Sequence, residues 1–193
     1  IAGMIIAPLL KPDMALSLAT TLADFKLTRR ALKMAVVGIG LSVGVAVVIG
    51  AFIPFDPTAE QAVLRTKLGL LELALAGSAG TAGALSVTSG EAGKVVGVMV
   101  AVALLPPVVI FGMYVGAGLV VKSVGAALLA TANLVCLNLT GVVTFFIRRI
   151  RPRTAFESGR AARAFRNAVI IWVALLAILV GLIVFGGQYR RFP

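Results

Sequence analysis

Apolar residues in this chain do not alternate with polar ones; they fall in six long runs separated by short breaks that hold most of the charges. The runs cover roughly Ile1–Ala23, Ala31–Ile53, Leu68–Thr88, Val95–Val115, Val124–Ile147 and Ala168–Phe185. Each is close to the ~20 apolar residues a helix needs to cross the hydrocarbon of a bilayer. A membrane-spanning barrel strand needs a period of two, and no run has one, so the segments are predicted to be helices. The second break also carries Ile53-Pro54-Phe55-Asp56-Pro57, a turn-forming sequence. The pattern predicts an all-α fold, a polytopic integral membrane helical bundle.

Composition points the same way. Hydrophobic residues are 60% of the 193 and charged residues 13%, against about a quarter charged in a soluble domain. A chain this short has too little interior to hide so much apolar surface. Net charge is +11, and the basic residues are distributed unevenly about the runs. The first, third and fifth breaks hold twelve Lys and Arg; the opposite side holds five. By the positive-inside rule the richer side is cytoplasmic, which places Ile1 and Pro193 on the outer side. Trp172 and Tyr189, near the two ends of the last run, fit interfacial anchors. The apolar start at Ile1, without an initiator Met, leads us to expect a further helix upstream.

Prolines interrupt two of the runs. The first reads Ile6-Ala7-Pro8-Leu9-Leu10-Lys11-Pro12-Asp13 and the fourth Ala103-Leu104-Leu105-Pro106-Pro107. Each proline removes a backbone donor and crowds the preceding turn, so a broken helix is expected at both places. Freed carbonyls are costly in lipid unless protein or water meets them. Setting Pro12 on Pro106, an offset of 94, pairs Gly3–Ala7 with Gly97–Ala101 and Leu10 with Leu104. The two copies are three crossings apart, so they would thread the membrane in opposite senses. Inverted repeats with broken helices meeting near the midplane are a recurring transporter plan. A pair of proline kinks packed by neighbouring helices is the simpler alternative.

The stretch Gly3-Met4-Ile5-Ile6-Ala7-Pro8-Leu9-Leu10-Lys11-Pro12 resembles the signature of an uncharacterised prokaryotic membrane family, domain of unknown function 389. The likeness continues through Ala74–Gly83, Val102–Val108 and Thr131–Leu134, and covers most of Ile1–Ile147. The resemblance implies a preceding transmembrane helix, often with a soluble N-terminal domain, and carries no established activity. Lys11 stands where the family usually has Gly, and Asp13 where it has an aliphatic residue.

Lys11 and Asp13 are the sharpest candidates for function. A charge at the centre of a membrane helix costs at least ~2.5–3.5 kcal/mol on insertion scales and marks a functional site by default. The pair could bind a charged solute or exchange protons; a neutralising ion pair, or a loop reaching the interface, is the structural alternative. Ser17, Thr20 and Thr21 follow the first break, and Thr131, Asn133, Asn138 and Thr140 lie in the fifth run. Thr131 with Asn138, and Asn133 with Thr140, share helix faces by their spacing of seven. They line a polar path or bond neighbouring helices. Asn133 falls on an Asn of the family signature.

Gly40 and Gly44, Gly77, Gly80 and Gly83, and Gly93 and Gly97 favour close helix packing or oligomer contact. Glu72 either draws cations to a vestibule or pairs with Arg65 and Lys67. Arg160, Arg163 and Arg166 repeat every three residues with Phe156 and Phe165 between, which suits anionic lipid headgroups or simply fixes topology. Cys136 reads as a small hydrophobe.

Residues 1–147 thus form a family-like transmembrane core, 148–167 a basic cytoplasmic loop, and 168–193 a last helix and tail. No nucleophile–base pair, phosphate loop or metal-ligand cluster appears, so neither an enzyme nor a cofactor is expected. Nucleic-acid binding is not expected either. The leading expectation is a transporter or channel for a small solute or ion. Its site would lie between Pro8, Pro12 and Pro106–Pro107, near Lys11, Asp13, Ser17, Asn133 and Asn138. The alternative is a non-transporting homo-oligomeric scaffold, or a sensor acting through a soluble domain.

Overall fold

The computed structural model describes residues 12–22, 25–66, 69–88, 95–148, 166–167, 169–178 and 181. Every regular element among them is an α-helix: α1 (Pro12–Leu22), α2 (Phe25–Phe52), α3 (Glu60–Leu64), α4 (Leu70–Thr88), α5 (Val95–Gly116) and α6 (Val120–Ile147). A further apolar helix, α7, runs over Val169–Ile178. The all-α expectation is met.

Helix α2 starts well before the apolar run it contains, because nothing in Lys26–Leu32 breaks a helix and long basic side chains favour one. Lys26, Arg29, Arg30 and Lys33 are accordingly exposed on its first turns rather than in a loop. Helix α6 likewise starts at Val120 and takes in Lys122. Both helices are 28 residues long, about 40 Å at 1.5 Å per residue and enough to cross ~30 Å of hydrocarbon. Lys26–Phe52 and Val120–Ile147 are long and apolar enough to span a membrane, whereas Ala103–Gly116 and Val169–Ile178 are shorter apolar stretches.

The two copies suggested by the sequence keep a nearly constant offset, and α2 and α6 are both 28 residues long. Helices α1 and α5 end at Leu22 and Gly116, 94 residues apart, and α2 and α6 begin at Phe25 and Val120, 95 apart.

Helix α6 is the hub: α1, α4 and α5 all pack on it, and α2 closes the bundle against α1 and α5. Met14 of α1, Ala84 of α4, Leu104 and Val108 of α5, and Leu137 and Phe145 of α6 form one buried cluster. Small residues bring the helices close. A Cβ at Gly80 would strike Thr140 and the Leu137 backbone; at Gly112 it would meet the Ala46 side chain and the Val43 carbonyl, and at Gly116 the Val47 carbonyl. Gly40 and Gly44, one of the three glycine sets the sequence suggested, have open space around them, whereas Gly80 and Gly83 of another set meet Thr140 and Met14.

Two connections are set by local chemistry. Helix α5 ends in a Schellman turn, with Leu119 N–H on Tyr114 O at 2.8 Å and Gly118 N–H on Val115 O at 3.1 Å. Gly118 holds φ 74°, which glycine adopts without a Cβ penalty. After α2, Asp56 Oδ1 accepts the Thr58 N–H at 2.8 Å and the Thr58 hydroxyl at 2.6 Å. The buried Tyr114 pins this connection by donating to Pro57 O at 3.0 Å.

Candidate functional site

The break expected at Pro106–Pro107 does not occur; α5 runs through both prolines. Proline's φ suits a helix, and the cost lies in the carbonyls left without a donor. Pro107 has no N–H for the Ala103 carbonyl, four residues back. Asn133 of α6 supplies one: its Nδ2 donates to Ala103 O at 2.8 Å. A side chain from the next helix therefore stands in for the missing main-chain donor, and the interruption becomes an interhelical clamp.

That clamp sits at mid-length. Asn133 lies halfway along Val120–Ile147, and Ala103–Pro107 lies at the middle of Val95–Gly116. Asn133 is only 5% exposed, and Oδ1, its second polar atom, has no hydrogen-bond partner. Among the described buried side chains it is the one polar atom left so.

Ser17 and Asn138 form a second polar contact, on another face of α6. The Ser17 hydroxyl donates to Asn138 Oδ1 at 3.0 Å, and Asn138 Nδ2 donates to Leu134 O at 2.9 Å. Both residues are fully buried. Five residues separate Asn133 from Asn138, well over a quarter-turn round the helix. α6 thus touches α5 through one amide and α1 through the other. The polar groups do not meet across a shared space; the apolar cluster around Met14, Leu104 and Leu137 occupies the region between α1 and α5.

The remaining small polar residues serve their own helices. Thr20 bonds Leu16 O at 2.6 Å, Thr21 bonds Ser17 O at 2.8 Å, and Thr140 bonds Cys136 O at 2.9 Å. Thr131, expected to share the Asn138 face, is exposed and bonds Ala127 O at 2.8 Å. A hydroxyl that caps a carbonyl one turn back is satisfied without lining a path.

Glu72 is half-buried and folds back over Gly69. Cys136 is buried in α6. Trp172, in the first turn of α7, packs beside Ala132 and Val135 of α6. Arg166 is exposed. Pro8, Lys11, Arg160, Arg163 and Tyr189 lie outside the described residues, as do the side chains of Pro12 and Asp13.

What sequence reasoning missed was the partner of Asn133. The signal was present: a proline inside an apolar helix leaves an orphan carbonyl one turn upstream, and the two amides of the next apolar run are donors available to it.

These features define a class: an all-α chain with two helices of membrane-spanning length and apolarity, and with Ser17, Asn133 and Asn138 hydrogen-bonded between its helices. Residues 4–139 match the family described as domain of unknown function (DUF389), and the chain belongs to that family. It is also 36% identical over 185 residues to the uncharacterized protein MJ0678 of Methanocaldococcus jannaschii, a match covering 96% of this chain. The chain spans 58% of the length of that relative. No solved structure matches it.

Proposed function

We propose that the chain is a multi-pass protein of the prokaryotic cell membrane that passes a small solute or ion, with Asn133 of α6 at the polar point of its path. The observation carrying the proposal is the position of that amide. It is buried, midway along a helix long enough to span, and one of its two polar atoms has no protein partner. A buried acceptor left bare costs about 1–3 kcal/mol, which a passing donor or cation would offset. Membrane embedding draws support from the outer face of α2, where Val36, Val37, Leu41 and Val48 are each more than half exposed. A water-facing patch of that size and length would be an aggregation site. The near-constant offset between the ends of α1 and α5 and the starts of α2 and α6, with equal lengths for the second pair, favours an inverted repeat.

In this reading the basic breaks face the cytoplasm, Ile1 and Pro193 face outward, and Arg160, Arg163 and Arg166 meet anionic lipid headgroups. Lys11 and Asp13 lie on the approach to the site. The chain performs no bond chemistry and works as a homo-oligomer.

Flux through liposomes containing the purified protein tests the proposal, with Asn133→Leu beside wild type and a broad panel of small ions and metabolites. We expect wild-type flux for at least one of them and about tenfold less from the variant. Equal, negligible flux for all of them would overturn it.

One observation favours a second reading, a non-transporting scaffold. The contact of Met14, Leu104, Val108 and Leu137 is apolar and close, as in a bundle built for rigidity. In that version the open face at Gly40 and Gly44 receives another copy.

A further inference from the structure

The orientation of the Asn133 amide is fixed. Turning it over would set Oδ1 against the Ala103 carbonyl, acceptor facing acceptor, so Nδ2 must take that contact and Oδ1 must point elsewhere. Oδ1 is then a buried acceptor that no protein donor reaches among the described residues. A second acceptor arises one residue before Ala103. Pro106 has no N–H to give the Val102 carbonyl, so this oxygen also lacks its usual donor from the following turn. Adjacent prolines thus release two successive carbonyls; Asn133 occupies one of them and places a third oxygen on the same stretch of α5.

We propose that Asn133 Oδ1 and the Val102 carbonyl form an acceptor-only site for a monovalent cation, metal or ammonium. This names the solute class for the site proposed above, and rests on that reading. Neutral oxygens replace a monovalent ion's hydration shell without needing a counter-charge, as main-chain carbonyls do in cation-selective filters. Strongly hydrated divalent ions bind through carboxylates. Among the acidic side chains described, Asp56 and Glu60 lie in the connection after α2, and Glu72 turns back over Gly69. An anion would face the negative ends of two amide dipoles, Asn133 Oδ1 and the Val102 carbonyl. Apolar surroundings strengthen every interaction made there.

Thermal unfolding of the purified protein in detergent, at constant ionic strength, reads the site directly. Sodium, potassium and ammonium chlorides are compared with choline chloride, whose bulky quaternary cation is the control. Potassium gluconate beside potassium chloride separates cation from anion. We expect at least one small cation to raise the wild-type Tm, by about 3 °C at tenfold its dissociation constant. Asn133→Leu should lose that rise. Asn133→Asp combined with Pro107→Ala, which returns a donor to Ala103 while adding charge to the site, should enlarge it. Three results would overturn the assignment: the same Tm in every chloride salt, the same rise in wild type and Asn133→Leu, or a rise that follows the anion.

The Tm and flux outcomes separate cleanly. A cation-dependent Tm without flux keeps the site and removes the transport reading. Flux that depends on Asn133 without a cation-dependent Tm keeps the passage and removes the cation.

Discussion

Pro107→Ala should relieve the protein of its need for Asn133. In wild type the Ala103 carbonyl takes its hydrogen bond from Asn133 Nδ2 at 2.8 Å, because residue 107 has no N–H to give. Alanine at 107 restores the ordinary donor four residues on. Baring a buried carbonyl costs about 1–3 kcal/mol, and interhelical hydrogen bonds between membrane helices average about 0.6 and reach about 1.7 kcal/mol. The contribution of the Asn133 bond should therefore be about 1 kcal/mol while proline is present, and close to nothing once it is gone. Asn133→Leu also removes Oδ1 and changes side-chain volume, but these effects are common to both backgrounds and cancel in a double-mutant cycle. The four proteins (wild type, each single variant and the pair) are unfolded reversibly in mixed micelles with increasing dodecyl sulfate, followed by helical circular dichroism. A coupling of about 1 kcal/mol is expected, with the pair more stable than the two single effects predict. Additivity within about 0.3 kcal/mol would refute the clamp, because distant or unconnected sites behave that way.

Two further outcomes follow from the packing and the turns. Gly112→Ala puts a methyl against Ala46 and the Val43 carbonyl and should destabilise by about 1–3 kcal/mol, whereas Gly44→Ala, with open space around it, should be neutral or gain up to about 1 kcal/mol; the same unfolding assay distinguishes them, and equal effects would contradict the α2–α5 contact. The Thr58 hydroxyl and then its N–H hold the exposed Asp56 carboxyl below the usual carboxylate range. With the folded value depressed, the turn's contribution is present above the unfolded pKa and lost as pH falls through the folded one. A carboxyl-carbon NMR titration should show Asp56 titrating low in wild type and moving up in Thr58→Ala.

The helices were legible because hydrophobic runs of the right length have few other solutions, and the charged breaks marked their ends within several residues. The error at Lys26–Lys33 has a plain cause: charge marks the end of an apolar run, not the end of a helix, and this stretch lacks Gly and Pro. The site was legible by residue and not by relation. Asn133, Asn138 and Ser17 were identifiable as polar groups in apolar runs. That Asn133 serves Pro107 depends on how α5 and α6 face each other across the Gly118 turn, a tertiary relation that neither run carries by itself. For the same reason the working small-residue contact between α2 and α5 involves Gly50, Gly112 and Gly116 rather than Gly40 and Gly44. Helix periodicity cannot tell a glycine facing a neighbour from one facing lipid when both surroundings are apolar.

Whether the middle of α6 can be reached from water is tested most directly by a thiol placed there. Asn133→Cys, made with Cys136→Ser so that no other cysteine remains, is exposed in membrane vesicles to a small cationic methanethiosulfonate. Beside it stands Val121→Cys, on an exposed position in the first turn of α6. Modification at 133 is expected, slower than at 121. A thiol at 133 that stays unmodified while 121 reacts fully would mean a dry centre, and would contradict it.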